Sequence, residues 1–165
     1  MIGQGMSPIK QTTAFVVILL ICFAAAGLGS VATTPNIPTW YAMLAKPTWN
    51  PPNWLFGPVW TVLYLLIAVS AWLVWRKYGL AGASAALAFF VLQLVLNAAW
   101  SWLFFRRHSI AGAFVDILAL WVTILILLMM FWRLETLAGI LLVPYLTWVS
   151  FAAVLNGTIL GLNRA

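Results

Sequence analysis

The stretch KPTWNPPNWLFGPVWTVLY, residues 46–64, contains four prolines and three tryptophans and then runs into a continuous apolar segment. Proline removes a backbone N–H donor and disrupts helix interiors, but it is tolerated before a helix and in its first turn. The stretch therefore predicts a constrained loop that ends where a helix begins, near Pro58. Whether that helix lies in water or in lipid decides the fold.

The overall composition excludes a water-soluble domain. The chain has 165 residues, of which 65% are hydrophobic and 6% are charged, with a mean hydropathy of +1.09. A soluble protein usually has about a quarter of its residues charged. The formal charge of +6 would suggest nucleic acid in a soluble protein. Here the basic residues flank apolar runs, as membrane anchors do, so we expect no nucleic-acid partner. These residues are Lys10, Arg76, Lys77, Arg106, Arg107, Arg133 and Arg164.

Five long hydrophobic runs dominate the chain. Each is long enough to cross a hydrocarbon core of about 30 Å as a helix, and none shows the alternation of barrel strands. The runs cover residues 12–31, 58–75, 80–105, 109–132 and 136–161. The sequence therefore predicts an all-α membrane protein, a five-helix bundle forming one domain over residues 1–165. The first run is interpreted as a retained span rather than a signal peptide.

The segment between the first two runs, residues 32–57, is about twenty-six residues long. Loops of that length are usually functional or disordered, but this one is rich in proline and aromatic residues and poor in charge, unlike disordered chains. We expect it to form a structured cap over one mouth of the bundle. The orientation in the membrane stays open, because four basic residues fall on each side.

Polar and aromatic residues recur at helical spacing in three of the runs. Such stripes face the interior of a bundle and would line an apolar cavity carrying a few hydrogen-bond donors, which suits a large flat ligand. In the alternative, the amides only join helices, and tryptophans such as Trp54, Trp75, Trp102 and Trp132 form interfacial belts. The stripes are Trp60, Tyr64, Ile67 and Ala71; Gln93, Asn97 and Trp100; and Tyr145, Trp148, Ala152 and Asn156.

Other residues carry less specific signals. One histidine, one cysteine and two separated acids predict no metal site, and no nucleophile–base set or obligatory cofactor is indicated. Asp116, inside the fourth run, is either functional or structural, in which case it makes a hydrogen bond or pairs with Arg106 or Arg107 at the level of the headgroups. Small residues in the third run predict close helix contact, either in a homodimer or within one chain. They are Ala81, Gly82, Ala85 and Ala86.

Four pieces of the chain together resemble the TspO/MBR family, which includes bacterial tryptophan-rich sensory proteins and the mitochondrial translocator protein, or peripheral-type benzodiazepine receptor. They are WYAMLAKPTWNPPNWLFGPVWTVLY from residue 40, QLVLNAAWSWLFF from residue 93, VDILAL from residue 115 and VPYLTWVSFAAVLN from residue 143. The W-x-P-P and P-Y-L-x-W elements are specific, and the pieces occur in family order over most of the chain.

The resemblance implies a multi-pass protein of the bacterial cell membrane, commonly dimeric, with a pocket that opens toward the first loop. Family members bind porphyrins such as protoporphyrin IX or heme-like molecules, synthetic benzodiazepine-site ligands and, in some cases, sterols. Trp60 and Trp148 match two pocket tryptophans that are linked to porphyrin binding and light-dependent porphyrin breakdown. Gly112 stands where the mammalian form has a ligand-contacting tryptophan. Gly157 stands where the sterol pattern needs a tyrosine, which argues against sterol binding.

Three functions of different classes follow. The first is porphyrin transport, or sensing of stress, oxygen or light, through a bound tetrapyrrole. The second is catalysis of light-dependent porphyrin oxidation by Trp60 and Trp148, and the third is a lipid- or sterol-binding regulatory partner in the membrane. The prolines would stiffen a lid, and the lid aromatics would cover the ligand. The predicted ligand-binding residues are Tyr41, Trp49, Pro51, Phe56, Trp60, Tyr64, Asn97, Trp100, Tyr145, Trp148 and Ala152.

Overall fold

A computed structural model describes residues 7–163, and Arg164, one of the predicted flanking basic residues, lies outside that part. Within the described residues the chain forms five long helices and no β-strand, and each helix is long and apolar enough to cross a membrane. The prediction of an all-α membrane protein with five spans is therefore confirmed. The helices are α1 (Pro8–Thr33), α2 (Asn53–Gly82), α3 (Ser84–Ser101), α4 (Ile110–Leu134) and α5 (Thr136–Leu162).

The helices pack in a closed ring whose order differs from their order in the chain. α1 contacts both α2 and α3, α2 contacts α5, and α5 packs along α4, which in turn packs against α3. Tight turns between α2 and α3, α3 and α4, and α4 and α5 make these neighbours antiparallel. We call the end of the bundle that carries residues 44–52 the mouth half, and the opposite end the closed half.

The first helix is longer than its hydrophobic run. It begins at Pro8, capped by the side chain of Ser7, and its path continues beyond Thr33 through a 3₁₀ turn (Thr34–Asn36) and a π turn (Ile37–Tyr41). The expected loop over residues 32–57 is therefore wrong in its first part. The non-helical connection that caps the mouth is reduced to residues 44–52.

Pro35 and Pro38 lack the N–H that an α-helix needs, and two neighbouring side chains bond the backbone close to them. The Thr33 hydroxyl donates to the carbonyl of Gly29 at 2.9 Å, and the Asn36 amide donates to the carbonyl of Ala32 at 2.9 Å. These bonds satisfy backbone acceptors near the prolines, while the helical pitch tightens and then widens. The prolines therefore change the pitch of the helix instead of ending it.

The second helix begins earlier than predicted. α2 begins at Asn53, directly after the extended residue Pro52, so Pro58 lies inside the helix rather than in its first turn. At the other end of α2, Gly79 has a φ of 65°, a left-handed conformation that glycine adopts without steric cost. Gly79 thereby interrupts the helix and begins the reversal of the chain into α3.

The predicted small-residue face of the third helix is only partly formed. Ala81 and Gly82 precede α3, which begins at Ser84, and Ala86 is buried inside the protomer. Only Ala85 of the four is both on α3 and exposed. The homodimer contact and the contact within one chain both stay predictions, but the four residues do not share one helix, because the turn at Gly79 places the start of α3 three residues after Ala81.

The closed half is densely packed. Ile124, Leu127 and Phe131 of α4 and Leu142 of α5 are fully buried there. The Ser70 hydroxyl of α2 donates to the carbonyl of Ala138 at 2.7 Å, which ties α2 to the start of α5. A Cβ atom at Gly139 would lie 2.7 Å from the backbone of Trp132, so this glycine permits the close approach of α4 and α5.

Candidate ligand-binding cavity

A cavity of about 560 Å³ opens in the mouth half between α1, α2, α3 and α5. This volume lies within the usual range for small-molecule sites, roughly 300–1,000 Å³. Of the eleven predicted ligand-binding residues, eight line the cavity, so the stripes identified in the sequence converge in space. The eight are Tyr41, Phe56, Trp60, Tyr64, Asn97, Trp100, Trp148 and Ala152.

The walls of the cavity consist mainly of aromatic rings. The ring of Trp60 packs against Tyr64, with centroids 5.8 Å apart, and Phe56 meets Trp148 edge to face at 5.9 Å. From α3, Trp100 stacks on Phe104 at 5.2 Å, with 22° between the planes. Aromatic pairs at these distances hold each other in place, so the cavity presents fixed, flat, apolar faces.

A chain of hydrogen bonds connects the floor of the cavity to the bundle core. The Tyr64 hydroxyl donates to Asn97 Oδ1 at 2.7 Å, and Asn97 Nδ2 donates to the Tyr145 hydroxyl at 3.0 Å. Tyr145 in turn donates to Gln93 Oε1 at 2.8 Å. All four residues are buried. The chain joins α2, α3 and α5 and holds the rings it carries, while Gln93 Nε2 at its end is buried with no hydrogen-bond partner among the described residues.

Four tryptophans line the cavity, Trp54, Trp60, Trp100 and Trp148, and the last two differ in how their indole N–H groups are used. Trp100 Nε1 donates to Asn156 Oδ1 at 3.0 Å, and Asn156 Nδ2 donates to the carbonyl of Ile110, which links α3, α5 and α4. Trp148 Nε1 is buried and has no hydrogen-bond partner among the described residues. Buried donors are normally satisfied. The Trp148 N–H is therefore an unpaired buried donor on a side chain that lines the cavity.

The cap over the mouth is tied down by side chains. The Tyr41 hydroxyl donates to Asn50 Oδ1 at 2.9 Å, and Lys46 Nζ donates to the carbonyls of Tyr41 and Leu44 at 2.6 and 2.9 Å. Asn163, just after α5, bonds both backbone groups of Ala45, accepting from its N–H at 3.1 Å and donating to its carbonyl at 2.9 Å. The cap is therefore an ordered lid anchored on α1 and α5.

Three predicted ligand-binding residues lie outside the cavity lining. Trp49 is 46% exposed in the lid, where its ring meets Phe151 at 5.9 Å, and Pro51 is half-buried in the same loop. Tyr145 is fully buried behind Trp60, 6.2 Å from its ring, and its hydroxyl belongs to the hydrogen-bond chain. Helical spacing put Tyr145 on the correct face, but Trp60 and Tyr64 lie between it and the cavity.

Sequence reasoning missed the contribution of α1. Four of the lining residues lie in the first run, which the sequence analysis treated only as a membrane span, and three lie just beyond it, in the segment that was expected to be a loop. Small and hydroxyl-bearing residues on one face of an apolar helix were the signal that could have found them, since such residues favour the protein interior in membranes. These residues are Phe23, Ala26, Gly29, Ser30, Thr33, Thr34 and Ile37.

Three further positions from the sequence analysis have defined surroundings. Asp116 is half-buried on α4, outside the cavity lining, and no described basic residue pairs with it. A Cβ at Gly112 would lie 2.7 Å from the Ser109 hydroxyl, so a larger residue there requires this turn to change. A Cβ at Gly157 would lie 3.0 Å from the Phe114 ring, so a tyrosine there would meet α4.

The comparison with protein families confirms the resemblance. The model of the TspO/MBR family matches residues 16–162, almost the whole described chain. The chain belongs to the TspO/MBR family. A tryptophan-rich protein TspO from Chlorobaculum tepidum is 40% identical over 158 residues, which cover 93% of this chain and 98% of the relative.

Other family members span different kingdoms of life. A tryptophan-rich protein TspO from Archaeoglobus fulgidus is 39% identical, covering 96% of this chain and 99% of the relative. The human translocator protein is 38% identical over 119 residues, covering 71% of this chain and 70% of the relative. Family membership and the five apolar helices together establish a multi-pass membrane protein.

Proposed function

We propose that this member of the TspO/MBR family binds a porphyrin in the mouth-half cavity, as part of transport or sensing. The observation that carries the proposal is a cavity whose lining includes aromatic rings from α2, α3 and α5, one of them an indole whose buried N–H has no partner among the described residues. Relatives named tryptophan-rich sensory protein, from Cereibacter sphaeroides, and translocator protein, from human, support a role of this kind.

The shape and chemistry of the cavity support a planar, mostly apolar ligand. Trp60 and Trp100 offer ring faces to such a molecule, and the surrounding lining is largely apolar. The Trp148 N–H would donate to a polar edge of the ligand, for example a carboxylate oxygen of protoporphyrin IX. The ordered lid would then exclude water from the ring system, which strengthens that hydrogen bond.

Titration with protoporphyrin IX tests the proposal. As the complex forms in detergent, bound porphyrin should quench the tryptophan fluorescence of the wild-type protein, and the porphyrin absorption band should shift. Ala152→Phe fills the cavity from α5 and should abolish binding. Trp148→Phe keeps a ring but removes the N–H, so we expect the dissociation constant to rise about fivefold, the equivalent of roughly 1 kcal/mol.

The matched control is Trp75→Phe, because Trp75 lies on α2 outside the cavity lining, toward the closed half. It should leave the titration unchanged. Binding that survives Ala152→Phe in a folded protein would refute the cavity as the porphyrin site.

Sealed vesicles containing the protein then separate transport from sensing: transport predicts movement of porphyrin across the bilayer, whereas a sensor binds porphyrin without moving it. Synthetic benzodiazepine-site ligands should compete for the same cavity.

A second function, light-dependent porphyrin oxidation, has one observation in its favour. Trp60 packs against both Tyr64 and Tyr145, with ring centroids 5.8 and 6.2 Å apart, so an oxidised indole would have two phenols nearby that can pass electrons to it. Dioxygen would be the oxidant and the bound porphyrin the reductant. Under illumination Trp60→Phe should stop porphyrin loss while binding changes only modestly. Equal rates of loss in the variant and the wild type would exclude a role for this indole.

We also propose a homodimer through α3, now restricted to its exposed side around Ala85. Ala85→Leu should shift protein in detergent toward the monomer on size-exclusion chromatography while porphyrin binding persists. An unchanged dimer would exclude this contact. Ala86→Leu is unsuitable as a probe, because Ala86 is 2% exposed and a larger side chain would disturb the protomer itself.

A further inference from the structure

A second concave site lies far from the cavity, between the start of α1 and the last turns of α2 in the closed half. It is a groove of about 370 Å³, and its apolar wall is made by Phe15, Val69 and Trp72. Pro8, Gln11 and Thr12 form its other edge. The Phe15 and Trp72 rings meet edge to face at 5.5 Å, and Trp72 Nε1 donates to the Gln11 carbonyl at 3.1 Å. These contacts hold the side chains of the groove wall in place.

The groove opens onto the surface that faces lipid. Close to it on α1, Ile9 is 79% exposed and Val16 and Val17 are 46% and 47% exposed. Apolar side chains exposed at this density on a membrane-spanning helix contact acyl chains. The groove lies beside the first two turns of α1, at the end of a span, where the hydrocarbon region gives way to headgroups.

A cation lies next to the Trp72 wall of the groove. The guanidinium carbon of Arg76 lies 4.6 Å from the centroid of the Trp72 ring, so the wall of the groove also positions the charge. Arg76 is exposed, and no described acidic residue pairs with it. Lys10 on the first turn of α1 is also exposed. In the described chain the only acid at this end, Glu135, pairs with Lys77 at 2.8 Å.

We propose that this groove binds one anionic phospholipid, with an acyl chain against Phe15, Val69 and Trp72 and the phosphate on Arg76. The planar guanidinium offers several N–H donors in a geometry that matches phosphate oxygens. An unpaired guanidinium at the level of the headgroups favours a lipid with net negative charge, because a zwitterionic headgroup brings its own cation. The site is independent of the cavity and of the porphyrin proposal.

Native mass spectrometry of the full chain in detergent tests the proposal. The protein is titrated with phosphatidylglycerol or with phosphatidylcholine that carries the same acyl chains. We expect one phosphatidylglycerol molecule to be retained in preference to phosphatidylcholine. Arg76→Gln should weaken retention of phosphatidylglycerol about fivefold, which corresponds to roughly 1 kcal/mol, and should leave phosphatidylcholine unchanged.

Two further variants make the test specific. Arg133→Gln removes a basic residue that is also exposed at the closed end but does not line the groove, and it should change nothing. Thr12→Trp fills the groove from its exposed edge without altering Arg76 and should reduce retention of the lipid at least as strongly as Arg76→Gln. An excess of glycerol 3-phosphate should not displace the lipid, because the acyl chain contributes to binding.

Four outcomes would overturn the proposal. Equal retention of the two lipids would show that the charge of the headgroup does not determine binding. Equal effects of Arg76→Gln and Arg133→Gln would show that basic residues attract the lipid from anywhere on this surface. Displacement by glycerol 3-phosphate would make the site one for a free anion. A change of oligomeric state in Thr12→Trp with unchanged lipid retention would assign the groove to a protein contact.

Discussion

The two halves of this bundle are held together by different interactions. In the closed half, Leu127, Phe131 and Leu142 fill the space between helices completely. In the mouth half the helices surround a cavity and are connected by hydrogen bonds, such as those of Asn97 to Tyr64 and Tyr145. Lipid provides no hydrophobic force that drives helices together. Close packing therefore contributes most in the closed half, where Ser70 also bonds Ala138, and the polar network contributes most in the mouth half. Because the closed half is filled, the mouth half can contain a cavity for a ligand while the bundle stays assembled.

The largest expected effect comes from removing an aromatic side chain, and it should differ between the two halves. Phe131→Ala in the closed half should lower the free energy of unfolding by about 3 kcal/mol, because it leaves a void among fully buried neighbours. Phe56→Ala, the same change beside the cavity, should cost much less, because Phe56 is only half-buried. Denaturation in detergent micelles measures both. Equal losses would mean that the mouth half depends on packing as much as the closed half does.

A smaller effect tests the hydrogen bonds of the mouth half. Asn97→Leu should lower the free energy of unfolding by about 2 kcal/mol, since it leaves the buried Tyr64 hydroxyl without its acceptor and removes one of the two bonds of the Tyr145 hydroxyl, which still donates to Gln93. Thr147→Val is the control: the Thr147 hydroxyl is exposed and bonds only the carbonyl of Val143 in its own helix. If both variants unfold at the same denaturant concentration, the network does not hold this half together.

The next effect concerns the lid alone. Asn163→Ala removes both bonds to Ala45, so the lid should open more often, at a local cost of about 1 kcal/mol. Amide hydrogen exchange should accelerate roughly fivefold in residues 44–52 and stay unchanged in α4. Thr158→Val, which removes a hydroxyl bonded only to Val154 in the same helix, should leave the lid protected. If amide exchange accelerates throughout the protein, Asn163 stabilises the whole fold rather than the lid alone.

The smallest effect is expected at the surface of the closed half. Lys77 and Glu135 form an ion pair at 2.8 Å, but the Lys77 side chain is 53% exposed. Exposed pairs contribute little and are screened by salt. Lys77→Gln should therefore leave the unfolding midpoint unchanged at both low and high salt. A clear loss of stability at low salt would show that electrostatic attraction contributes to the closed half alongside packing.

Several features of the fold could be predicted because they depend on local properties of the chain. The five spans follow from the length and apolarity of each run, and the positions of Trp60, Asn97, Trp100 and Trp148 on inward faces follow from helical periodicity. The extension of α1 to Tyr41 could not be predicted. Pro35 ordinarily ends a helix, and only the bonds made by neighbouring side chains show why the chain continues.

The sequence by itself determined that the chain lies in a membrane, how many helices it forms and which helical faces carry aromatic and amide groups. Hydrophobicity and periodicity are properties of each segment alone, so no other part of the chain is needed to see them. The tertiary structure alone decided which of those groups reach the cavity. Tyr145 and Trp148 share a helix and a stripe, yet Tyr145 is covered by Trp60 while Trp148 lines the opening. The ring order of the helices also brought α1 into the site and buried Ala86. Depth within a bundle depends on what the neighbouring helices place in front of a side chain, and that information is distributed over the whole chain.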